Sequence, residues 1–104
     1  MADFEFAIKK NELADGKMRL VELMDRLVIV FRVGDDFYCI DDVCTHDGGT
    51  LSDGECHQFE IACPRHGARF DIRNGRALSM PATQDTGSHE VQLVGDDVMV
   101  RLAE

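Results

Sequence analysis

Two short stretches of this chain carry side chains able to bind a metal: "CTH" at 44–46 and "CPRH" at 63–66. Together they read Cys44-x-His46, sixteen intervening residues, then Cys63-x-x-His66. Each stretch offers one thiolate and one imidazole, so two loops meeting in space would present four ligands to one site. One such pair arises easily by chance; two within a single glycine-rich region form a strong signal.

A set of two cysteines and two histidines suits more than one metal. Zinc takes it tetrahedrally at a structural site. A two-iron, two-sulfide cluster divides it, with thiolates on one iron and imidazoles on the other. A structural zinc site usually draws ligands from a knuckle and a helix, and no such helix is expected here. Gly48, Gly49 and Gly67 instead lie directly beside the ligands. Glycine lets backbone N–H groups come close to inorganic sulfide, and such hydrogen bonds stabilise an electron-rich cluster. The iron–sulfur reading leads, and a structural zinc module is second.

Other reactive side chains read more plainly. Cys39 alternates with Tyr38 in an expected strand and behaves as a small buried apolar residue. Cys56 and His57 are adjacent and make a weaker metal pair, because four better-spaced ligands already complete a site. His89 reads as a surface residue opening the last hairpin.

The ligands need a scaffold, and composition limits what it can be. A chain of 104 residues is one ordinary domain, and 44% apolar with 30% charged residues describes a globular one. The longest apolar run, Leu27 to Phe31, is too short to span a bilayer. The stretch "MADFEFAIKK" lacks the basic start and apolar core of an export signal, so the cytoplasm is the expected location. A reducing compartment turns four cysteines toward metal and away from disulfides, a Cys39–Cys56 bridge included. Eleven basic against twenty acidic residues give a charge of −9, which disfavours nucleic acid and anionic membrane and suits a partner with a basic face.

Most of the chain reads as short strands. "FEFAIKK" and "KMRLVEL" alternate, the second placing Met18, Leu20 and Leu23 on its apolar side. "RLVIVFRV" is apolar without a break, as in a strand covered on both faces, and turns at Gly34-Asp35-Asp36 into "FYCI". "HEVQLV" and "VMVRL" form a hairpin, with Val91 and Leu93 facing one way, as do Val98, Val100 and Leu102. Only 12–16, "ELADG", suggests a helical turn. Between the two β regions, roughly 43–82, the chain is rich in turn residues, including Asn74-Gly75 after the short strand "ARFDI". The expected fold is all-β, with a loop-rich subdomain inserted in a strand-built base, and both ligand pairs fall in the insert.

"CTHDGGTLSDGE", "IACPRHGARFDIRNGRA" and "MPA" together resemble the Rieske iron–sulfur signature, over nearly the whole chain. The resemblance implies a [2Fe-2S] cluster with Cys44 and Cys63 on the inner iron and His46 and His66 on the outer one. It implies a single Rieske domain over 1–104: an antiparallel β-sandwich base, 1–42 and 83–104, and a small cluster-binding subdomain of about 43–82. "VGDDFYCIDDVCTH" resembles the strand leading into the first ligand loop, and Met80-Pro81-Ala82 the proline loop that covers the cluster.

Two departures narrow the type. Respiratory Rieske proteins join their ligand loops by a disulfide, whose matching positions here are Gly49 and Arg65. They also place serine and tyrosine hydroxyls against cluster sulfur, where this chain has Ala68 and Phe70. Missing donors destabilise the reduced cluster, so a potential near the low end of the Rieske range is expected, roughly −150 mV. The chain is therefore similar to Rieske-type ferredoxins, which implies a one-electron carrier and no catalysis of its own. The implied partners are a flavin-containing ferredoxin reductase and a terminal oxygenase, as in ring-hydroxylating dioxygenase systems, or another oxidoreductase. The carrier would be a monomer with His46 and His66 at an exposed tip. The alternative is an accessory subunit of a larger redox enzyme or an iron–sulfur assembly system. Asp47, Asp53 and Glu55 either steer a basic partner or are ordinary loop carboxylates. Arg65 and Arg69 either favour the reduced cluster by their charge or simply face solvent.

Overall fold

The run Val28-Ile29-Val30-Phe31 has more branched and aromatic side chains than one face of a strand can bury, and the fold covers both faces. The computed structural model describes residues 3–65, 67–80, 82 and 84–103. Nine strands run in chain order: β1 Phe4–Lys9, β2 Met18–Leu23, β3 Arg26–Val33, β4 Asp36–Asp41, β5 Glu55–His57, β6 Glu60–Ala62, β7 Arg69–Asp71, β8 Ser88–Val94 and β9 Asp97–Arg101. Six form one antiparallel sheet in the order β1-β9-β8-β4-β3-β2, and β5-β6-β7 form a second. The outermost strands of the larger sheet, β1 and β2, touch each other, so this sheet curls over into a sandwich.

Alternation along β3 then sends its side chains into two different cores. Val28 and Val30 join Ile8, Phe37, Cys39, Val98 and Val100 inside the curled sheet. Ile29 and Phe31 point the other way, with Ile40 beside them, into a layer shared with Leu51, Ile61, Phe70 and Ile72 of the inserted region. All four β3 side chains are 0% exposed, each contributing about 1.5–3 kcal/mol of burial. β3 is thus the platform on which the small sheet is mounted.

Turn chemistry follows the strands. Gly34-Asp35 and Gly95-Asp96 join their hairpins as two-residue loops. Met24 and Asp25 do the same between β2 and β3, both at positive φ (50° and 66°), where a right-twisted hairpin needs them despite the steric cost to non-glycine residues. After β7 the chain turns tightly at Gly75 (φ 77°), whose Cβ, if present, would lie 2.1 Å from the Thr86 carbonyl oxygen.

Several expectations are corrected. Instead of a helical turn over 12–16 there is a 3-10 helix at Lys10–Glu12. The Glu12 carboxylate accepts the Lys9 N–H at 3.0 Å and closes the turn early, leaving Leu13 extended and buried in the curled core. The apolar side of β2 is not one face: Val21 and Leu23 enter the curled core, Met18 packs on the other layer, and Leu20 is exposed on this edge strand. Leu93 is exposed, near the free end of its hairpin, whereas Val98, Val100 and Leu102 are buried.

His89 is not a surface residue. Its side chain is fully buried, with Nε2 2.7 Å from Asp41 Oδ1. Its Nδ1 accepts the Ala103 N–H at 2.9 Å, so the ring proton sits on Nε2 and is donated to Asp41. Arg26 shares that carboxylate and also donates to the Ala103 carbonyl. β8 pairs with β4 only at Cys39↔His89 and Ile40↔Ser88, and the imidazole satisfies the polar groups at this short seam.

Burial, with a smaller push from the Asp41 charge, raises the Cys39 thiol from near 9 to about 12, against a weaker pull from Arg26. Above pH 9 the unfolded chain loses this proton while the folded chain keeps it, so stability falls as pH rises, by up to about 1.4 kcal/mol per pH unit. Urea titrations at pH 8 and pH 10 should show wild type losing about 1 kcal/mol more than Cys39→Ala; equal losses would refute this.

Candidate metal centre

β4 ends at Asp41, and the next residue shapes the first ligand loop. Asp42, 5% exposed, accepts the Leu51 N–H at 2.7 Å, the Ser52 N–H at 2.8 Å and the Ser52 hydroxyl at 3.0 Å. This carboxylate folds 42–52 back on itself, and the Cys44 turn lies inside the closed loop.

The two ligand turns share one backbone design. In the first, the Cys44 N–H donates to the Gly49 carbonyl at 2.8 Å and the Gly48 N–H donates to the Cys44 carbonyl at 2.7 Å. In the second, the Cys63 N–H donates to the Ala68 carbonyl at 2.7 Å and the Gly67 N–H donates to the Cys63 carbonyl at 3.0 Å. Gly48 and Gly67, each four residues beyond its cysteine, both have φ 75°, which reverses the chain at a position ordinary side chains resist. β4 feeds the first turn; β6 feeds the second, and β7 leaves it.

These turns bring the two thiols together. Cys44 and Cys63 are 0% and 2% exposed. Their sulfurs and an Asp47 carboxylate oxygen all lie within 4.8 Å of one another, the one metal-capable group of three among the described residues. Burial first, then a hydrogen bond with Cys63, pushes the Cys44 thiol pKa up. A cation between the sulfurs would favour the Cys44 thiolate that burial disfavours. A hydrogen bond from Arg65, and then the Gly49 N–H, hold the Asp47 carboxyl well below the usual carboxylate range.

His46 is exposed on the first turn, on the solvent side of the buried thiols. His66 lies outside the described residues, as does Pro81 of the Met80-Pro81-Ala82 loop. Met80 is 74% exposed and Ala82 is buried. The Thr45 hydroxyl donates to the Gln84 carbonyl at 2.5 Å and so ties the first turn to that segment. Ala68 and Phe70 are fully buried, so neither position offers a hydroxyl.

The weaker candidates separate from the site. Cys56 and His57 are neighbours in β5 and point to opposite faces, Cys56 against the shared core and His57 outward. Cys39 belongs to the curled core, and all four cysteines are free. Asp47, read from the sequence as a carboxylate that either steers a basic partner or is an ordinary loop residue, instead approaches both thiols, which needs the two turns to be facing.

A soft sulfur pair in a dry pocket, with an imidazole toward solvent, suits a two-iron cluster with sulfur on its inner side. The family model described as the Rieske [2Fe-2S] domain matches residues 4–100. The chain belongs to that family. Its cofactor is the Rieske [2Fe-2S] cluster, which displaces the zinc alternative. The ferredoxin component of a naphthalene 1,2-dioxygenase system from Pseudomonas aeruginosa is 34% identical over 97 residues, 93% of each chain. The ferredoxin component of biphenyl 2,3-dioxygenase from Rhodococcus jostii (strain RHA1) is 35% identical over 92 residues, 88% of this chain and 86% of that one. Among solved structures, the ferredoxin of carbazole 1,9a-dioxygenase from Nocardioides aromaticivorans IC177 superposes with a TM-score of 0.93 at 27% identity, covering 98% of this chain and 100% of the other.

Asp42 is the main anchor of the first turn in this Rieske chain. Asp42→Ala strands two backbone N–H groups and should cost about 3 kcal/mol in urea denaturation, with Asp42→Asn costing less because one acceptor oxygen remains. An unchanged denaturation midpoint for Asp42→Ala would remove this role.

Proposed function

We propose that this protein is the mobile one-electron carrier of a multicomponent oxygenase system, with Cys44, Cys63, His46 and His66 as its cluster ligands. The observation that carries the reading is the buried Cys44–Cys63 sulfur pair lying inward of an exposed His46. We assign the thiolates to the inner iron and the imidazoles to the outer one. The base is taken as 1–42 and 83–104, and the cluster-binding subdomain as about 43–82. The bound cluster supplies a one-electron couple; the chain holds it, sets its potential and presents it to partners.

Two features of the chain tune that couple. Buried Ala68 and Phe70 withhold hydroxyl donors, which disfavours the reduced state. Neutral imidazoles in place of two thiolates act in the other direction, and the balance lies near roughly −150 mV. Exposed His46 on the first turn offers a small tip for brief docking.

The donor is a flavin-containing ferredoxin reductase and the acceptor a terminal oxygenase of the ring-hydroxylating type. Support for the acceptor comes from the dioxygenase ferredoxin relatives. A chain from a solved complex of reduced oxygenase and oxidised ferredoxin in carbazole 1,9a-dioxygenase also superposes, with a TM-score of 0.88 at 32% identity over 94% of this chain and 92% of its own. The carrier acts as a cytoplasmic monomer. Among the described residues no helix is long and apolar enough to cross a membrane. Asp53, which also accepts the Thr50 hydroxyl at 3.0 Å, and Glu55 are exposed near the second turn and meet a basic partner there, whereas Asp47 is engaged by Arg65.

Purified protein should contain iron and acid-labile sulfide in equal amounts, absorb in the visible and bleach with dithionite at a midpoint near roughly −150 mV. Cys44→Ser and Cys63→Ser should each abolish the chromophore. In stopped-flow assays the reduced protein should pass one electron to a terminal oxygenase, more slowly at higher ionic strength. A colourless, zinc-containing protein would overturn the reading.

A further inference from the structure

The ligand turns match in backbone but not in where they carry their histidines. Two residues beyond the cysteine stands His46 in the first turn and Arg65 in the second. Three residues beyond stands Asp47 in the first turn and His66 in the second. Each turn therefore spends one of these positions on an imidazole and the other on a charge, and the two charges are opposite.

In the fold these charges meet. Arg65 Nε donates to Asp47 Oδ2 at 2.5 Å, and Arg65 Nη2 donates to Asp47 Oδ1 at 3.2 Å and to the Thr50 carbonyl at 2.8 Å. One side chain of the second turn thus grips both a carboxylate and a backbone oxygen of the first loop. The carboxylate is itself oriented by the Gly49 N–H at 2.8 Å. Gly49, unlike Gly48 and Gly67, is not at positive φ, so its backbone does not require glycine. A Cβ there would lie 2.5 Å from Arg65 Cζ and Nη2. The missing side chain at Gly49 is the space in which the guanidinium sits.

We propose that Arg65, Asp47 and Gly49 form an ionic clasp that ties the two ligand turns together and retains the cluster between them. The proposal rests on the ligand assignment made for Cys44, His46, Cys63 and His66. These are positioning residues and do not ligate. A two-pronged guanidinium–carboxylate pair is strong and directional for its size. Because Asp47 lies within 4.8 Å of both thiols, the pair also places a balanced dipole at the cluster's edge. Each half has its own electrostatic sign. Loss of the arginine removes a positive charge and so disfavours the added electron; loss of the carboxylate removes a negative charge and so favours it.

The test uses cluster-loaded, full-length protein, with iron release to a chelator and the midpoint potential as readouts. Arg65→Gln should release iron about tenfold faster and lower the potential. Asp47→Asn should also release iron faster but raise the potential, and the double variant should return the potential toward wild type. Gly49→Ala should reproduce the fast release of Arg65→Gln by evicting the guanidinium, yet add nothing in the Arg65→Gln background. Arg65→Lys, which keeps the charge but loses the two-pronged grip, should hold the potential while releasing iron faster, and it serves if Arg65→Gln does not load. A wild-type release rate for Gly49→Ala, full additivity with Arg65→Gln, or potential shifts of one sign would overturn the clasp. Wild-type protein without acid-labile sulfide would instead overturn the ligand assignment.

Discussion

Two sulfur atoms lying side by side in a dry pocket are a costly thing for a small protein to hold. Burial, and then a hydrogen bond with Cys63, disfavours the ionised form of Cys44, and a positively charged centre between the sulfurs offsets that cost. The scaffold has to impose the geometry in advance, because unbound turns carrying buried thiols would otherwise drift apart. The closed turns at Cys44 and Cys63 do this locally, each by a pair of backbone hydrogen bonds and one glycine at positive φ. The same requirement explains why the layer beneath them is so apolar.

That layer is shared property. Ile29, Phe31 and Ile40 of the larger sheet meet Leu51, Ile61, Phe70 and Ile72 of the inserted region, with both cysteines among them. The opposite side chains of the same β3 strand close the curled sheet, so the two cores are held in fixed relation by one strand. Polar groups that must be buried at the joins are satisfied: Asp42 by the loop it folds, His89 by Asp41 and the Ala103 amide. Among the described residues no buried side-chain nitrogen or oxygen lacks a partner. A rigid mount of this kind suits a centre that must change charge without rearranging its surroundings.

Membership of the Rieske [2Fe-2S] family and likeness to dioxygenase ferredoxins fit what the site withholds as well as what it offers. It offers two inward sulfurs and an outward imidazole. It withholds hydroxyl donors at Ala68 and Phe70, and in place of a covalent tie between the loops it has an ion pair. Each substitution moves the couple toward lower potential or looser restraint, as a carrier that meets partners briefly can tolerate.

The pairing of Cys44 with Cys63, the Rieske family and the continuous apolar run of β3 were legible in the residues themselves, because spacing along the chain and side-chain period are local properties. So was the burial of Cys39. The Met24-Asp25 hairpin was not, since Met24 carries no turn signal and lacks the glycine that usually marks such a loop; strand register forces that geometry on the pair. His89 and Arg65 were misplaced or left open for a related reason. A histidine or arginine finds its partner, Asp41 or Asp47, 48 or 18 residues away, and nothing in the linear order says which carboxylate the fold will deliver. Sequence alone determined which atoms could hold a cluster; only the tertiary structure decided which charges stand beside it, because electrostatic pairing depends on distance through space.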